Sequence, residues 1–297
     1  MRDSRRLYAV RSSQSGSREV LSHSSIYRGG ALVEWASLTK PVTARLASVL
    51  AEEGQLPLST PVSDLVPELT GLNATLQDLI FHRSGLPHIH PGARSWLLHD
   101  PYGEVDASTL LTSLTALDRP VSPSGFAYSN VGYALLGIAI ERAMATDWFT
   151  LVRDFVLLPH RYPTVTVTPE SGQPLASRLL GLPRRPWAIS TSAYRPAGGL
   201  WSTTDDLVRF AEDSLELESR IGWFVLRRGV VYHTGQGRDS GSCIVVDFER
   251  RVSGTAHAML RGPNATKEYL VKALWPDIAK DASIPSRRRM RRAPQDP

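Results

Sequence analysis

Apolar and polar positions change their period several times along this chain, and each change predicts an element. The segments "RLYAVRSS" and "SGSREVLSHSS" meet at Ser and Gly residues, which predicts an amino-terminal hairpin. From Thr39 to about Glu53, Val42, Leu46, Val49 and Leu50 recur at helical spacing, and Gly54 closes the segment. Pro41 fits only the first turn of that helix, where its missing N–H had no partner. In "TLQDLIFHRSGLP", Thr75 and Asp78 have capping-box spacing for a short helix that stops at Ser84-Gly85. A further helix is predicted around "DASTLLTSLTAL". "SNVGYALLGIAIERAMA" predicts one that is apolar nearly all round and hence buried.

Residues 157–196 carry Pro159, Pro163, Pro169, Pro174, Pro183 and Pro186 and predict an irregular stretch of the kind that lines clefts. Thr203 and Asp206 predict a cap for the helix "TDDLVRFAEDSLEL". Four strands follow, "GWFVLRR", "GVVYHTG", "GSCIVVDF" and "VSGTAHAMLRG", and then an amphipathic helix, "NATKEYLVKALW". With strands at both ends and helices between, the expected class is α/β (α+β), an antiparallel sheet flanked by helices and built from both chain ends. The expected division is a sheet domain from 1–60 and 190–280, a mostly helical domain over 61–189, and a basic, disordered tail at 281–297.

Composition narrows the class without changing it. A hydrophobic fraction of 42% and a charged fraction of 21% over 297 residues are those of a soluble globular protein. The single cysteine, Cys243, excludes an internal disulfide and a cysteine-based zinc site. "MRDSRRLYAVRSSQ" has no apolar signal core, and the longest apolar run, "VGYALLGIAI", is roughly half of what a bilayer crossing needs. A cytoplasmic protein with no membrane span is expected. The net charge of +5 sits where "SRRRMRR" places Arg287, Arg288, Arg289, Arg291 and Arg292, so no nucleic-acid partner is expected.

Lysine is scarce: only Lys40, Lys267, Lys272 and Lys280 occur, and arginine fills most other cationic positions. Lysine can lose its proton when its pKa falls, whereas arginine cannot. Ser37 and Lys40 lie three apart at a helix start and so share a face. Acyl transfer needs a nucleophile, a base, and donors for an oxyanion. Ser37 is the candidate nucleophile. Lys40 is the candidate base if its pKa falls, or a cation that depresses a neighbour's pKa if it does not. In Tyr128-Ser129-Asn130, a tyrosinate next to Lys40 could take the Ser37 proton and return it to a leaving group. Asn130 would address Lys40 or a substrate carbonyl while capping its helix. In His233-Thr234-Gly235, the missing Cβ of Gly235 would let a substrate approach the strand, with the N–H groups of Ser37 and Gln236 as oxyanion donors.

The ordered set Ser37-x-x-Lys40, Tyr128-Ser129-Asn130 and His233-Thr234-Gly235 resembles the serine β-lactamase and penicillin-binding-protein-like superfamily. It is most similar to its class C β-lactamase-related branch of esterases, D-amino-acid peptidases and transacylases. "TLQDLIFHRSGLP" and "PAGGLWSTTDDLVRFAE" look like that family's connecting signatures, and the resemblance runs from about residue 7 to 275. It implies a sheet domain, a helical domain and an active site between them, without metal or cofactor. Ser37, Lys40 and Tyr128 would be catalytic, and Asn130, His233, Thr234, Gly235 and Gln236 would bind substrate. The substrate would be a small ester, amide or peptide-like molecule.

Three departures stand out. His233 occupies a position that is usually lysine, and a neutral imidazole is a weaker clamp for a carboxylate. The chain shows no export signal, and the helix that usually precedes the first strand is absent. An ester or amide hydrolase, a cytoplasmic biosynthetic transacylase, a β-lactamase or D,D-peptidase, and a catalytically silent binding protein all remain compatible with these motifs.

Other signals carry less. His82, His88, His90 and His99 read as solvated loop histidines without a zinc motif. "GQGRDSG" leads into a strand and reads as a hairpin turn rather than a phosphate loop. No G-x-S-x-G elbow is present.

Overall fold

Antiparallel pairing joins the two ends of the chain. In the computed structural model, which describes residues 6–27, 30–93, 99–117, 121–123, 125–170, 173–179, 182–260 and 262–276, strands β1 (Leu7–Ser13) and β2 (Arg18–His23) form the expected hairpin. β1 pairs on its other side with β10 (Val252–Met259), in register from Leu7 opposite Ala258 to Ser13 opposite Val252. Between them in sequence come β3 (Val33–Glu34) and helices α1 (Thr39–Glu52), α2 (Val62–Leu65), α3 (Leu76–Ile80), α4 (Ala107–Thr115), α5 (Asn130–Met144), α6 (Trp148–Val152) and α7 (Leu158–His160). The short pair β4 (Arg178–Leu179) and β5 (Leu182–Pro183), α8 (Arg195–Gly198), β6 (Trp201–Ser202) and α9 (Thr204–Glu216) follow. Strands β7 (Phe224–Arg227), β8 (Val230–Gln236) and β9 (Ser240–Asp247) precede β10, and α10 (Pro263–Leu274) comes last. The main sheet runs β2-β1-β10-β9-β8-β7. The tail expected at 281–297 lies outside the described residues.

The run "CIVV" is apolar at successive positions because β9 is covered on both faces. Ile244 and Val246 belong to the core shared with the central helices, whereas Cys243 and Val245 pack with Leu270, Val271 and Trp275 of α10. The first of these cores continues without a break from the sheet through Trp35 and Leu38 into the helical segment, where it takes in Leu135, Leu136 and Trp148. α5 is buried from Asn130 to Ile140, as its all-round apolar sequence requires. A Cβ on Gly137 would lie 2.1 Å from Pro196 Cγ, so this glycine lets α8 approach α5 closely.

Local capping is as expected at α3, where Thr75 and Asp78 form the reciprocal capping box. At α9 it differs. Thr203 stands at the N-cap without a side-chain capping bond, and Asp206 Oδ2 instead accepts from Thr164 N at 2.7 Å and Thr164 Oγ1 at 2.6 Å. Here a long-range partner has displaced the local one, and it ties the proline-rich segment to the helix. No helix of the described residues is long and apolar enough to cross a membrane.

Candidate active site

Ser37 lies in a single 3₁₀ turn, Ala36–Leu38, that runs directly into α1. The turn is strained: Ala36 has φ 47°, a left-handed value that costs a residue with a Cβ roughly 1–2 kcal/mol. Contacts from both sides hold it there. Trp35 N donates to Leu200 O at 3.0 Å, Trp35 Nε1 to Ser202 Oγ at 2.8 Å, and Leu200 N to Thr39 Oγ1 at 3.2 Å. On the other side Ser242 Oγ donates to Trp35 O at 3.0 Å. A Cβ on Gly235 would fall 2.1 Å from that carbonyl oxygen. The missing Cβ of Gly235 therefore lets β8 pack closely against the turn that holds Ser37.

Lys40 is fully buried one turn into the helix. Its Nζ lies 3.0 Å from Ser37 Oγ, 2.8 Å from Asn130 Oδ1 and 2.7 Å from Ala197 O. Burial drives its pKa well below the ordinary lysine value. Three acceptors and the nearby Tyr128 and Tyr133 rings, at 5.0 and 5.5 Å, favour the ammonium and work against that shift. The two tendencies meet at Ser37. The Asn130 and Ala197 oxygens can only accept, but a hydroxyl can also donate, so a neutral Nζ would keep two bonds and receive the third from Ser37.

Tyr128 Oη donates to Ser37 Oγ at 2.9 Å, which leaves the Ser37 hydrogen available to Lys40. Burial pushes the Tyr128 phenol far up, and its bond to Ser37 only partly offsets this. Burial therefore works against the tyrosinate that a neighbouring lysine could stabilise, and the lysine beside it is itself driven toward neutrality.

The loop after α3 holds this tyrosine. Ala127 N donates to His82 O at 2.8 Å, Ser129 N to His82 Nδ1 at 3.1 Å, and Asn130 N to His88 O at 2.9 Å. Ser129, not Asn130, caps α5, with Gly132 N donating to its Oγ at 2.8 Å. Asn130 is thus left for the site: it accepts from Lys40, and its Nδ2 reaches Tyr102 Oη at 3.1 Å and His88 Nε2 at 3.2 Å. The reading of His82, His88 and His90 as merely solvated is corrected here. His82 is buried with its ring 4.5 Å from that of Tyr128, exposed His88 touches Asn130, and His90 Nδ1 is 3.0 Å from Tyr194 Oη. Among the described residues no three His, Cys, Asp or Glu side chains are grouped as metal ligands. Tyr102 and the Ala197 carbonyl carry no motif in the sequence, although Ala197 lies within the signature stretch "PAGGLWSTTDDLVRFAE".

β8 brings the third motif to the other side of Ser37. His233 is 1% exposed and stacked on Phe224 at 4.9 Å, so its side chain is a buried wall rather than an open clamp. Desolvation first, and Lys40 second, lower its pKa to about 3, which leaves it neutral. Thr234 is half-buried and its carbonyl lies 3.0 Å from His233 Nδ1. Gly237 N donates to Ser240 O at 3.0 Å, and the ladder alternates from there. Gln236 N–H is thereby turned away from β9, toward a side where the pairing of β7 ends at Tyr232. The Gln236 side chain is tied to the hairpin, with Nε2 2.5 Å from Gly237 O.

Comparison with known proteins places the chain in a family. A family profile described as Beta-lactamase matches residues 13–222. The D-alanyl-D-alanine-carboxypeptidase/endopeptidase AmpH of Escherichia coli K12 is 28% identical over 193 residues, 62% of this chain and 49% of that protein. Penicillin-binding protein 4* of Bacillus subtilis is 32% identical over 130 residues, 43% of this chain and 29% of its own length. This chain therefore spans about half or less of these curated relatives. Among solved structures, a β-lactamase/D-alanine carboxypeptidase from Yersinia pestis complexed with citrate superposes with a TM-score of 0.74 at 21% identity, covering 92% of this chain and 93% of that one. A class C β-lactamase from Rhodobacter sphaeroides gives 0.70 at 19% identity, with 89% and 92% covered.

Proposed function

The chain belongs to the β-lactamase family, and on that premise we propose that it forms a covalent acyl-enzyme on Ser37 from an ester or amide substrate. The reading is carried by one observation: Ser37 Oγ has Lys40 Nζ at 3.0 Å and Tyr128 Oη at 2.9 Å, one able to receive its proton and the other already donating to it. Neutral Lys40 takes the Ser37 hydrogen as Oγ attacks the carbonyl carbon. The N–H groups of Ser37 and Gln236 receive the oxyanion. Tyr128 passes its proton to the departing oxygen or nitrogen and is reprotonated by the Lys40 ammonium, which holds the proton taken from Ser37. Asn130 keeps the Lys40 amine aimed at Ser37, and Thr234, Gly235 and neutral His233 form the β8 wall. A substrate carboxylate finds no cation at His233, which favours esters or amides without one. The acyl group then passes to water, or in a transacylase to an acceptor amine or alcohol.

Intact-mass spectrometry tests the reading with an activated ester, a β-lactam and a fluorophosphonate. A single adduct is expected on the wild type and none on Ser37→Ala. Faster loss of the acyl adduct on adding an amine would identify a transacylase. An unmodified wild type with all three probes would refute the proposal.

A further inference from the structure

Phe126 is 39% exposed, and among the described residues it is the only aromatic side chain in the group of exposed large hydrophobics. It is not isolated. Its ring stands edge-on to Phe224 at 5.9 Å and to His82 at 5.7 Å. Phe224 in turn lies 6.2 Å from the Tyr128 ring and is stacked on His233. The rings form one apolar wall that begins in solvent at Phe126 and ends at the phenol bonded to Ser37. Given the proposed acyl-enzyme chemistry, on which this inference rests, Tyr128 is the group that protonates the leaving atom. The wall therefore borders the path of the leaving group.

The chemistry of the wall is one-sided. An aryl group laid on Phe126 and Phe224 would remove apolar surface from water and gain edge and face contacts. A carboxylate there would lose hydration against rings without gaining a cation, since His233 directs Nδ1 at Thr234 O and its buried Nε2 has no hydrogen-bond partner.

We propose that the site selects substrates whose leaving group is uncharged and apolar, an aryl alcohol above all, seated on Phe126 and Phe224, and rejects leaving groups that carry a carboxylate. Phe126 is the specificity-determining residue at the mouth.

Three esters of one acyl group test this: methyl, phenyl and m-carboxyphenyl, the last two having leaving groups of nearly equal basicity. In the wild type kcat/KM for the phenyl ester should exceed that for the m-carboxyphenyl ester by roughly tenfold or more. Phe126→Ala should shrink the phenyl-to-methyl ratio by roughly tenfold, mainly through KM. Phe126→Lys should shift the phenyl-to-m-carboxyphenyl ratio toward the charged ester. All readouts are ratios within one protein, so a loss of folded material does not mimic them. Equal rates on the two aryl esters, or ratios unchanged in both variants, would overturn the inference. Fluorophosphonate labelling of Ser37 run alongside separates the two levels. A labelled but unselective enzyme removes this inference alone, whereas an unlabelled wild type inert on all three esters removes the acyl-enzyme reading beneath it.

Discussion

Ser37 and Lys40 face each other across 3.0 Å, with Lys40 itself, His82 and His233 shut away from water, and that loss bears on which of the two carries the proton. Burial lowers the lysine and raises the tyrosine, and the proposed mechanism accordingly takes the amine as base and the phenol as donor. The sign of the pH dependence follows. Below its depressed pKa Lys40 is an ammonium and cannot accept; as pH rises through that value, acylation should accelerate and level off. The fluorophosphonate labelling rate against pH is the measurement, and a flat profile from acid to alkaline conditions would exclude Lys40 as the base. Lys40→Arg keeps a cation that cannot deprotonate, and labelling should slow by roughly 10²–10⁴-fold, the usual span for a lost general base. Tyr128→Phe keeps the ring wall and should slow turnover of esters with poor leaving groups more than that of activated esters.

At the scale of elements, the 3₁₀ turn holding Ser37 is strained at Ala36 and depends on its neighbours for its shape. β8 is one of those neighbours, and contact is possible because Gly235 has no Cβ. Gly235→Ala should destabilise the protein by roughly 1–3 kcal/mol, as overpacking does, and lower the Ser37 labelling rate at least about tenfold in the fraction that remains folded. Urea unfolding combined with labelling checks both parts; a variant with wild-type values in each would show that the turn does not need this contact. The segment from Ala197 to Ser202 supports the turn from the opposite side and also supplies the Ala197 carbonyl to Lys40, so one short stretch positions both Ser37 and Lys40.

The whole molecule carries three imidazoles, His82, His233 and His257, buried at 4%, 1% and 0% exposure. All three have lowered pKa values chiefly through desolvation, His233 and His257 to about 3. Unfolded, each would titrate near 6.5, so below that pH the unfolded chain binds the extra protons and stability falls as pH falls. Glu34 acts in the opposite sense: burial raises it to about 8, so between about 8 and 4.5 the folded state holds a proton that the unfolded state lacks. These four groups together predict a loss of stability from pH 6.5 downward that steepens below about 4.5, where Glu34 stops opposing it. Chemical denaturation at fixed intervals between pH 7 and 4 measures it. A stability that holds constant over that range would mean that the buried imidazoles are solvated.

Sequence by itself determined what is local or periodic. The capping box at Thr75 and Asp78, the helix from Thr39, the all-round burial of α5 and the antiparallel strands at both ends follow from spacing along the chain, because neighbours three, four or two apart have no choice of partner. Ser37 and Lys40 could be paired on the same ground. The order of the motifs pointed to Tyr128 and to β8, but only the tertiary structure decided what each group does there. Asn130 was freed from capping because Ser129 took that bond, and Asp206 turned one oxygen from the N-cap to Thr164. His88 was drawn from a loop onto Asn130, and His233 was enclosed and kept neutral. The physical reason is common to all of these. Hydrogen-bond partners and hydration are set by which distant segments exclude water together, and no spacing along the chain encodes that directly.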